Sequence, residues 1–321
     1  MAVDLAELLG ADGARRSADV VGVAGAASVS RWVRRGRLLR PLPGVLVLPE
    51  QAGTWRTRAA AAALWSGGRL CGCSALYLSD LVVEPGPHVH VAVGPHRHVG
   101  PRRPAWLRVH VGPEPSGRIA QGLPVVSDVD ALLTAWGHAH AGRGTSREVE
   151  VARGAVIGAC RRRRVTVDQL RAALGARTRL PGRRQLDDLL GLIARGCQSE
   201  FEIWGLAHIL DVPGLPPIQL QYALETSIGT IHLDGALPEV QLGIELDGAA
   251  YHRSPDNWAR DRRRDSAALA RGWATLRIDH RRAHVDPPAA RREIEDAYYA
   301  RLAALQGRGV DGRSSIIPRP K

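Results

Sequence analysis

Lysine is almost missing from this chain of 321 residues: Lys321 is the only one, and the other basic side chains are arginine. With 35 glycines and many alanines beside them, that skew looks like a GC-rich coding bias, so the summed charge says more than any single arginine. Cysteine is scarce as well. Four residues, Cys71, Cys73, Cys160 and Cys197, do not make a disulfide framework in a chain of this length, and free thiols in a reducing compartment are expected. Long apolar runs are missing too, since none approaches the roughly 18 to 20 residues that cross a bilayer. The stretch MAVDLAELLGADGARR carries acids where a secretory signal would be basic, so a cytoplasmic protein with no membrane partner is expected. Zinc-ligand spacing is also absent. Cys71 and Cys73 with His88, His90, His96 and His98 match no usual pattern, and in PHVHVAVG the histidines 88 and 90 share one face of a strand, as structural residues would.

What is present is enough apolar material, 45% of residues, to build cores, and a length beyond what one core covers. Four segments are expected: residues 1–50, 51–195, 196–305 and a disordered tail over 306–321. In the first, SADVVGVAG and ASVSRWVRRGRLLR read as two helices and PLPGVLVLPE as a strand entered by a turn, the order helix, turn, helix, wing. Val29, Trp32 and Val33 follow the i, i+3, i+4 spacing and face inward, with Ser28 as the start cap and Gly36 as the stop. Ser30, Arg31, Arg34 and Arg35 are left outside. A recognition helix lays such a surface in a major groove, and a solvated basic helix shows the same pattern. A net charge of +12 makes DNA or another polyanion a natural partner, because basic groups release condensed counterions when they neutralise phosphates.

The middle segment is expected to be small and mixed, with an alanine-rich helix over 54–66, strands at HVHVAV and LRVHVG, helices over 126–136 and 146–163, and a last helix ending near Arg195. The arginines at 161–164 close the second of these helices, where cations complement the macrodipole, with DNA contact as the alternative. Thr166 and Gln169 form a capping box for VTVDQLRAAL.

The last third changes character. QSEFEIWGLAHIL reads as a helix, LQYALET, TIHLD and VQLGIELDG as strands, SPDNWARDRRRDSAALARG as a helix and ATLRI as a strand, giving the order α, β, β, β, α, β. In VQLGIELDG, alternation puts Val240, Leu242, Ile244 and Leu246 on one face and Glu245 with Asp247 on the other. If TIHLD and VQLGIELD pair, Asp234 comes near Glu245. Two carboxylates about 4 Å apart repel by roughly 4 kcal/mol at an effective dielectric near 20. A bound Mg²⁺ or Mn²⁺ removes that conflict, and such an ion beside a basic surface is the equipment for hydrolysing a phosphodiester; polar strand ends facing solvent would read the same.

The acidic pattern of Asp234, Glu245, Asp247, Gly248 and His252, followed by WARDRRRDSAALARGWATLRI, resembles the small nuclease-like domains related to the very-short-patch repair endonucleases, a branch of the restriction-endonuclease-like PD-(D/E)XK superfamily. It spans about residues 197–303. The resemblance implies an α/β (α+β) fold with a mixed sheet flanked by helices, and Asp234 and Glu245 as metal ligands. It also implies a helical glutamate before the first strand, which falls on Glu202 with Glu200 as second candidate, and His252 as base or ligand. Ser199 with Glu202 fits a capping box besides. Asp261, Arg264 and Arg277 match recurring positions suited to helix anchoring or phosphate contact. The third position of the motif is usually a lysine that orients the attacking water, and here it is Asp247. Either His252 or a second metal compensates, or the domain binds DNA without cutting it.

Residues 1–195 resemble, more loosely, the AbiEi-type antitoxins of abortive-infection systems through SRWVRRGRLLRPLPGVLVLP, AAAALWSGGRLCGCSALYLSDLV and GLPVVSDVDALLTAWG, with Gly72 and Cys73 where Ser-His is common and Asp130 where arginine is. That resemblance implies a winged helix ahead of a small mixed domain and admits a cognate toxin as partner. The combined expectation is a bacterial DNA-binding protein with a magnesium- or manganese-dependent endonuclease site. In it Glu202, Asp234 and Glu245 hold the ion, Asp247 and His252 handle the water, and Ser30, Arg31, Arg34, Arg35 and Arg264 contact DNA. The rival is a non-enzymatic antitoxin-like regulator that keeps the nuclease fold as a platform, and an RNA-directed nuclease stands third.

Overall fold

The computed structural model of the chain describes residues 3–97, 100, 103–142, 144–197, 199–247 and 255–311. Among them are thirteen α-helices and three β-sheets, a mixed α/β molecule, and the chain divides into two compact units, Met1–Asp188 and Leu189–Lys321. No helix among the described residues is long and apolar enough to cross a membrane.

In the first unit Asp4 opens α1 (Leu5–Leu9) by accepting the Ala6 amide at 2.8 Å. The chain continues through β1 (Ala14–Arg16), α2 (Ser17–Ala24), α3 (Ala26–Arg34), β2 (Leu39–Leu42) and β3 (Val45–Val47), whose strands pair antiparallel in the order β1-β3-β2. Val20, Val29, Leu38 and Leu46 are buried together, with Trp32 and Val33 packed against them, so α3 turns the anticipated face inward. Ser28 is not the cap. Gly25, at φ +79°, turns the chain from α2 directly into α3 and leaves Ser28 in the first turn, while Gly36, at φ +68°, follows the helix end as anticipated. α1 and β1 went unanticipated because five and three residues are too few for a period to show.

Thr54 caps α4 (Trp55–Ser66) by accepting the Thr57 amide at 3.2 Å, and the helix packs on β1, β2 and β3. Thr57 Oγ1 donates to the Asp12 carbonyl at 2.9 Å and Arg56 pairs with Asp12 at 2.7 Å, so residue 50 does not separate two compact units. A five-stranded sheet follows in the order β6-β5-β4-β8-β7, made of β4 (Arg69–Leu70), β5 (Val89–Val93), β6 (Leu107–Val111), β7 (Gly117–Ala120) and β8 (Leu123–Val126). α5 (Gly72–Leu78) packs against β5 and against α6 (Asp128–Ala139). Val126 belongs to β8 rather than to α6, which starts after Ser127 accepts the Asp130 amide at 3.1 Å. Capping boxes open α7 (Ser146–Arg161) at Thr145 and α8 (Val167–Gly175) at Thr166, and α9 (Arg183–Ala194) runs across the division between the units.

The second unit orders α10 (Glu200–His208), β9 (Gln219–Thr226), β10 (Gly229–Leu237), β11 (Leu242–Asp247), α11 (Pro255–Ala270), β12 (Ala274–Asp279), α12 (His280–Val285) and α13 (Pro287–Asp311). Its sheet reads β12-β11-β10-β9, antiparallel except for β11 and β12, which run parallel because α11 returns the chain between them. Leu242, Ile244 and Leu246 enter a core with Phe201, Leu210, Ile278 and Ile294, and a smaller cluster gathers Leu233, Ala236, Ala268 and Trp273. Val240 shares the larger core from a 3-10 turn, Pro238–Val240, and β11 starts only at Leu242. The expected disordered tail begins too early. α13 continues to Asp311, held where Leu302 and Leu305 pack on the core and Arg301 donates to the carbonyls of Val240 and Gly272 at 3.1 and 2.6 Å; residues 312–321 lie outside the described ones.

Candidate active site

The acidic residues converge in the second unit. Ser199 caps α10 by accepting the Glu202 amide at 3.1 Å, and its hydroxyl donates to Glu202 Oε1 at 2.8 Å, so the first turn of the helix fixes that carboxylate. Glu200, the second candidate for the helical acid, lies on the same turn.

Asp234 stands where β10 and β11 part. The last paired residues are Gly235 and Ile244; beyond them Asp234 Oδ2 accepts the Leu246 amide at 2.8 Å, so a side chain satisfies a strand amide that the neighbouring backbone no longer reaches. Glu245 follows Ile244 directly and points away from the core that takes Ile244 and Leu246. Its carboxylate is 12% exposed and meets Arg264 from α11, whose Nη2 lies 3.1 Å from Glu245 Oε1 and also donates to the His232 carbonyl at 2.6 Å. Asp247 is held from the next strand by Arg277, which stands beside Glu245 in the parallel register, donates to Asp247 Oδ1 at 2.9 Å and grips Asp265 of α11 through two more bonds, at 3.2 and 2.9 Å.

Gln221 completes the arrangement. It lies opposite Asp234, between the paired residues Leu233–Tyr222 and Gly235–Leu220, and its amide nitrogen donates to Asp234 Oδ1 at 3.3 Å and to Glu202 Oε2 at 3.4 Å. One neutral side chain thus links the helix carboxylate to the strand carboxylate.

The electrostatics follow from burial. Burial pushes the Asp234 carboxyl above its ordinary value, the Asp247 charge adds to this, and the Leu246 amide, Arg264 and Gln221 resist it. Glu245 is pushed up to about 7, first by burial and then by the charge of Asp234, against the pull of Arg264 and Arg277. Burial also works against the charge of Arg277, but the bonds to Asp265 and the charges of Asp265, Asp247 and Glu245 outweigh it, so its pKa lies above the ordinary arginine value. Among the described residues no group of three or more His, Cys, Asp and Glu side chains is placed to hold a metal ion. Asp234 and Glu245 offer hard carboxylate oxygens, the chemistry magnesium accepts when it keeps several waters and takes only one or two protein carboxylates.

Of the residues anticipated from sequence, Glu202, Asp234, Glu245, Asp247, Arg264 and Arg277 come together here, with Arg264 turned onto Glu245 and Arg277 onto Asp247. His252 and Gly248 fall outside the described residues. Gln221 and Asp265 were missed. Nothing in the sequence signals Gln221.

In the first unit Ser30, Arg31, Arg34 and Arg35 are all exposed on α3 and just past its end, and Arg37 and Arg40, not singled out from sequence, are exposed nearby. Among the described residues none of these arginine side chains makes a hydrogen bond or ion pair. Of the arginines at 161–164, Arg162 donates to the Asp80 carbonyl and Arg164 pairs with Asp128 at 2.6 Å, which makes those two structural. His90 and His110 contact each other through ring nitrogens 2.9 Å apart, with the His138 ring 4.6 Å from that of His90. Burial holds His90 well below its ordinary pKa and His110 at about 4. Burial pushes the Cys73 thiol up to about 11 and Cys71 higher still, which makes both unreactive.

No protein-family model matches the chain, and no curated protein matches it. Among solved structures it is similar to the RV2827C protein from Mycobacterium tuberculosis at 15% identity and a TM-score of 0.28, over 56% of this chain and 75% of that one, a likeness too slight to carry an argument.

Proposed function

We propose that the second unit is a restriction-endonuclease-like domain with a Mg²⁺- or Mn²⁺-dependent phosphodiesterase site, and that the helix, turn, helix and hairpin of the first unit form a winged helix that reads duplex DNA. The observation that carries the first half is the placement of Asp234 and Glu245 at the parting of β10 and β11, where burial makes both carboxyls reluctant to ionise and the charge of Asp234 adds to the cost at Glu245. A divalent cation relieves that cost. When bound it supplies an activated water and neutralises charge on the phosphate.

The chain's own residues do the rest. Asp234 and Glu245 supply hard oxygen ligands, and Glu245 gives up a proton it otherwise keeps to about pH 7. Arg264 and Arg277 hold positive charge at the edge of the site, where a phosphodiester would lie. The superfamily's usual lysine is replaced by Asp247, and the missing positive charge is restored by Arg277, beside Glu245 and 2.9 Å from Asp247. On α3 and just past its end, Arg31, Arg34 and Arg35 are exposed where phosphates or base edges can reach them.

One observation favours the rival reading, an antitoxin-like regulator with a cognate toxin as partner: Arg264 and Arg277 already neutralise Glu245 and Asp247 from within. Calorimetry with Mn²⁺ on the full chain separates the two. The nuclease reading expects saturable binding that is lost in the Asp234→Ala, Glu245→Ala double variant. No binding by the wild type, or equal binding by both proteins, leaves the platform.

A further inference from the structure

Two arginines reach the acids of the second unit, and their guanidinium groups are used differently. Arg277 commits all three of its nitrogens: Nε and Nη2 bond Asp265 at 3.2 and 2.9 Å, and Nη1 bonds Asp247 at 2.9 Å. Arg264, reaching in from α11, commits one. Its Nη2 donates to the His232 carbonyl at 2.6 Å and to Glu245 Oε1 at 3.1 Å, while among the described residues its Nε and Nη1 make no hydrogen bond. The arginine side chain is 31% exposed and the Glu245 carboxylate 12%, so solvent reaches the pair from the arginine side.

An arginine grips a phosphate best through two parallel N–H groups. In a guanidinium the terminal Nη2 takes part in both such forks, once with Nη1 and once with Nε, and it has two hydrogens to offer. In Arg264 those two hydrogens face two acceptors, the His232 carbonyl and Glu245. Neither fork is open while Glu245 keeps its share. Letting go of Glu245 opens one fork and leaves the shorter bond to the backbone carbonyl as a pivot. A phosphodiester would then gain two charge-assisted bonds where Glu245 loses one. The same movement takes from Glu245 the first of the two positive charges, Arg264 and Arg277, that oppose its burial beside Asp234, and a divalent cation is the hard charge suited to replace it.

We infer that Arg264 is a counter-ion that the substrate releases: it covers Glu245 until a phosphodiester draws its fork away, so that the phosphate takes the arginine and the cation takes the carboxylate. This rests on the phosphodiesterase reading above. Arg277, held by carboxylates of β11 and α11 at once, stays in place.

The test uses the full chain with Arg31, Arg34 and Arg35 changed to alanine, so that α3 takes up none of the probe, and a thymidine dinucleotide, which carries one phosphodiester. Without metal, Glu245→Met, which removes the competing carboxylate, should bind the dinucleotide at least about 5-fold more tightly than the parent chain, and adding Arg264→Ala should abolish that gain. No gain, or a gain that persists in Arg264→Ala, overturns the release. Arg264→Lys, which keeps the charge and loses the fork, should bind the dinucleotide about 10-fold more weakly than the parent, and parent affinity there overturns the fork. With Mn²⁺ as titrant and no dinucleotide, Arg264→Ala should bind at least about 5-fold more tightly than the parent, because the resident charge is gone. Binding no tighter than the parent's overturns the cover on Glu245. If neither chain binds Mn²⁺, the metal reading falls instead, and the dinucleotide cycle decides the release by itself.

Discussion

Replacing Glu245 by glutamine isolates the electrostatic cost of the site. A carboxyl that keeps its proton to about pH 7 instead of 4.5 is one whose ionised form the fold disfavours. Between those values the unfolded chain has released the proton and the folded chain still holds it, so the unfolded state binds fewer protons and stability falls as pH rises; above pH 7 both are ionised and the loss is complete. At about 1.4 kcal/mol per pH unit, the loss comes to about 3 kcal/mol. With Glu245 only 12% exposed, solvent screens little of it. The substituted glutamine does not titrate and can still accept from Arg264. In metal-free buffer the Glu245→Gln chain should therefore gain stability over the wild type as pH rises from 4 to 8, by about 3 kcal/mol at the top of the range. Pulse proteolysis in urea, read on the fragment from the second unit, measures this difference without assuming that the two units unfold together. Wild-type and variant curves that run parallel across the window would show that Glu245 ionises normally, and the case for a strained carboxylate pair would fall with them.

Two further outcomes follow from the arginines. Replacing Arg31, Arg34 and Arg35 together by alanine should weaken duplex DNA binding and flatten the slope of log affinity against log salt by about 0.9 for each phosphate no longer neutralised; an unchanged slope in fluorescence anisotropy removes α3 from the interface. Arg277→Met should leave Asp247 and Asp265 without their shared cation and lower Mg²⁺-dependent cleavage at least 10-fold, as loss of a group supporting a metal site typically does. Cleavage at the wild-type rate would refute the idea that Arg277 stands in for the missing lysine.

The pairing of Asp234 with Glu245 was legible because only a few residues separate TIHLD from VQLGIELDG, which leaves the two strands little choice but to lie side by side, and because alternation fixed the outward face of β11. The inward face of α3 was legible for the same kind of reason, a 3.6-residue period carried by Val29, Trp32 and Val33. Gln221 was not, since its placement depends on a left-handed backbone at the second residue of LQYALET and on a glycine 25 positions earlier, neither of which leaves a local mark. Ser28 misled because a serine near a helix start invites a cap, whereas Gly25 brings the chain out of α2 so tightly that α3 is already under way. The end of α13 misled in the opposite sense: GRGVD looks like a tail by composition, yet the packing of Leu302 and Leu305 carries the helix through it.

A metal-dependent cut is read directly by cleavage of labelled duplex DNA by the full chain in Mg²⁺ or Mn²⁺, beside EDTA and beside Glu245→Ala. Strand scission should need the metal, disappear in Glu245→Ala, and fall by about 100- to 10,000-fold in His252→Ala if that histidine handles the water. DNA that is bound but stays intact under every metal condition, with RNA intact as well, would contradict it and leave a regulator built on a nuclease fold.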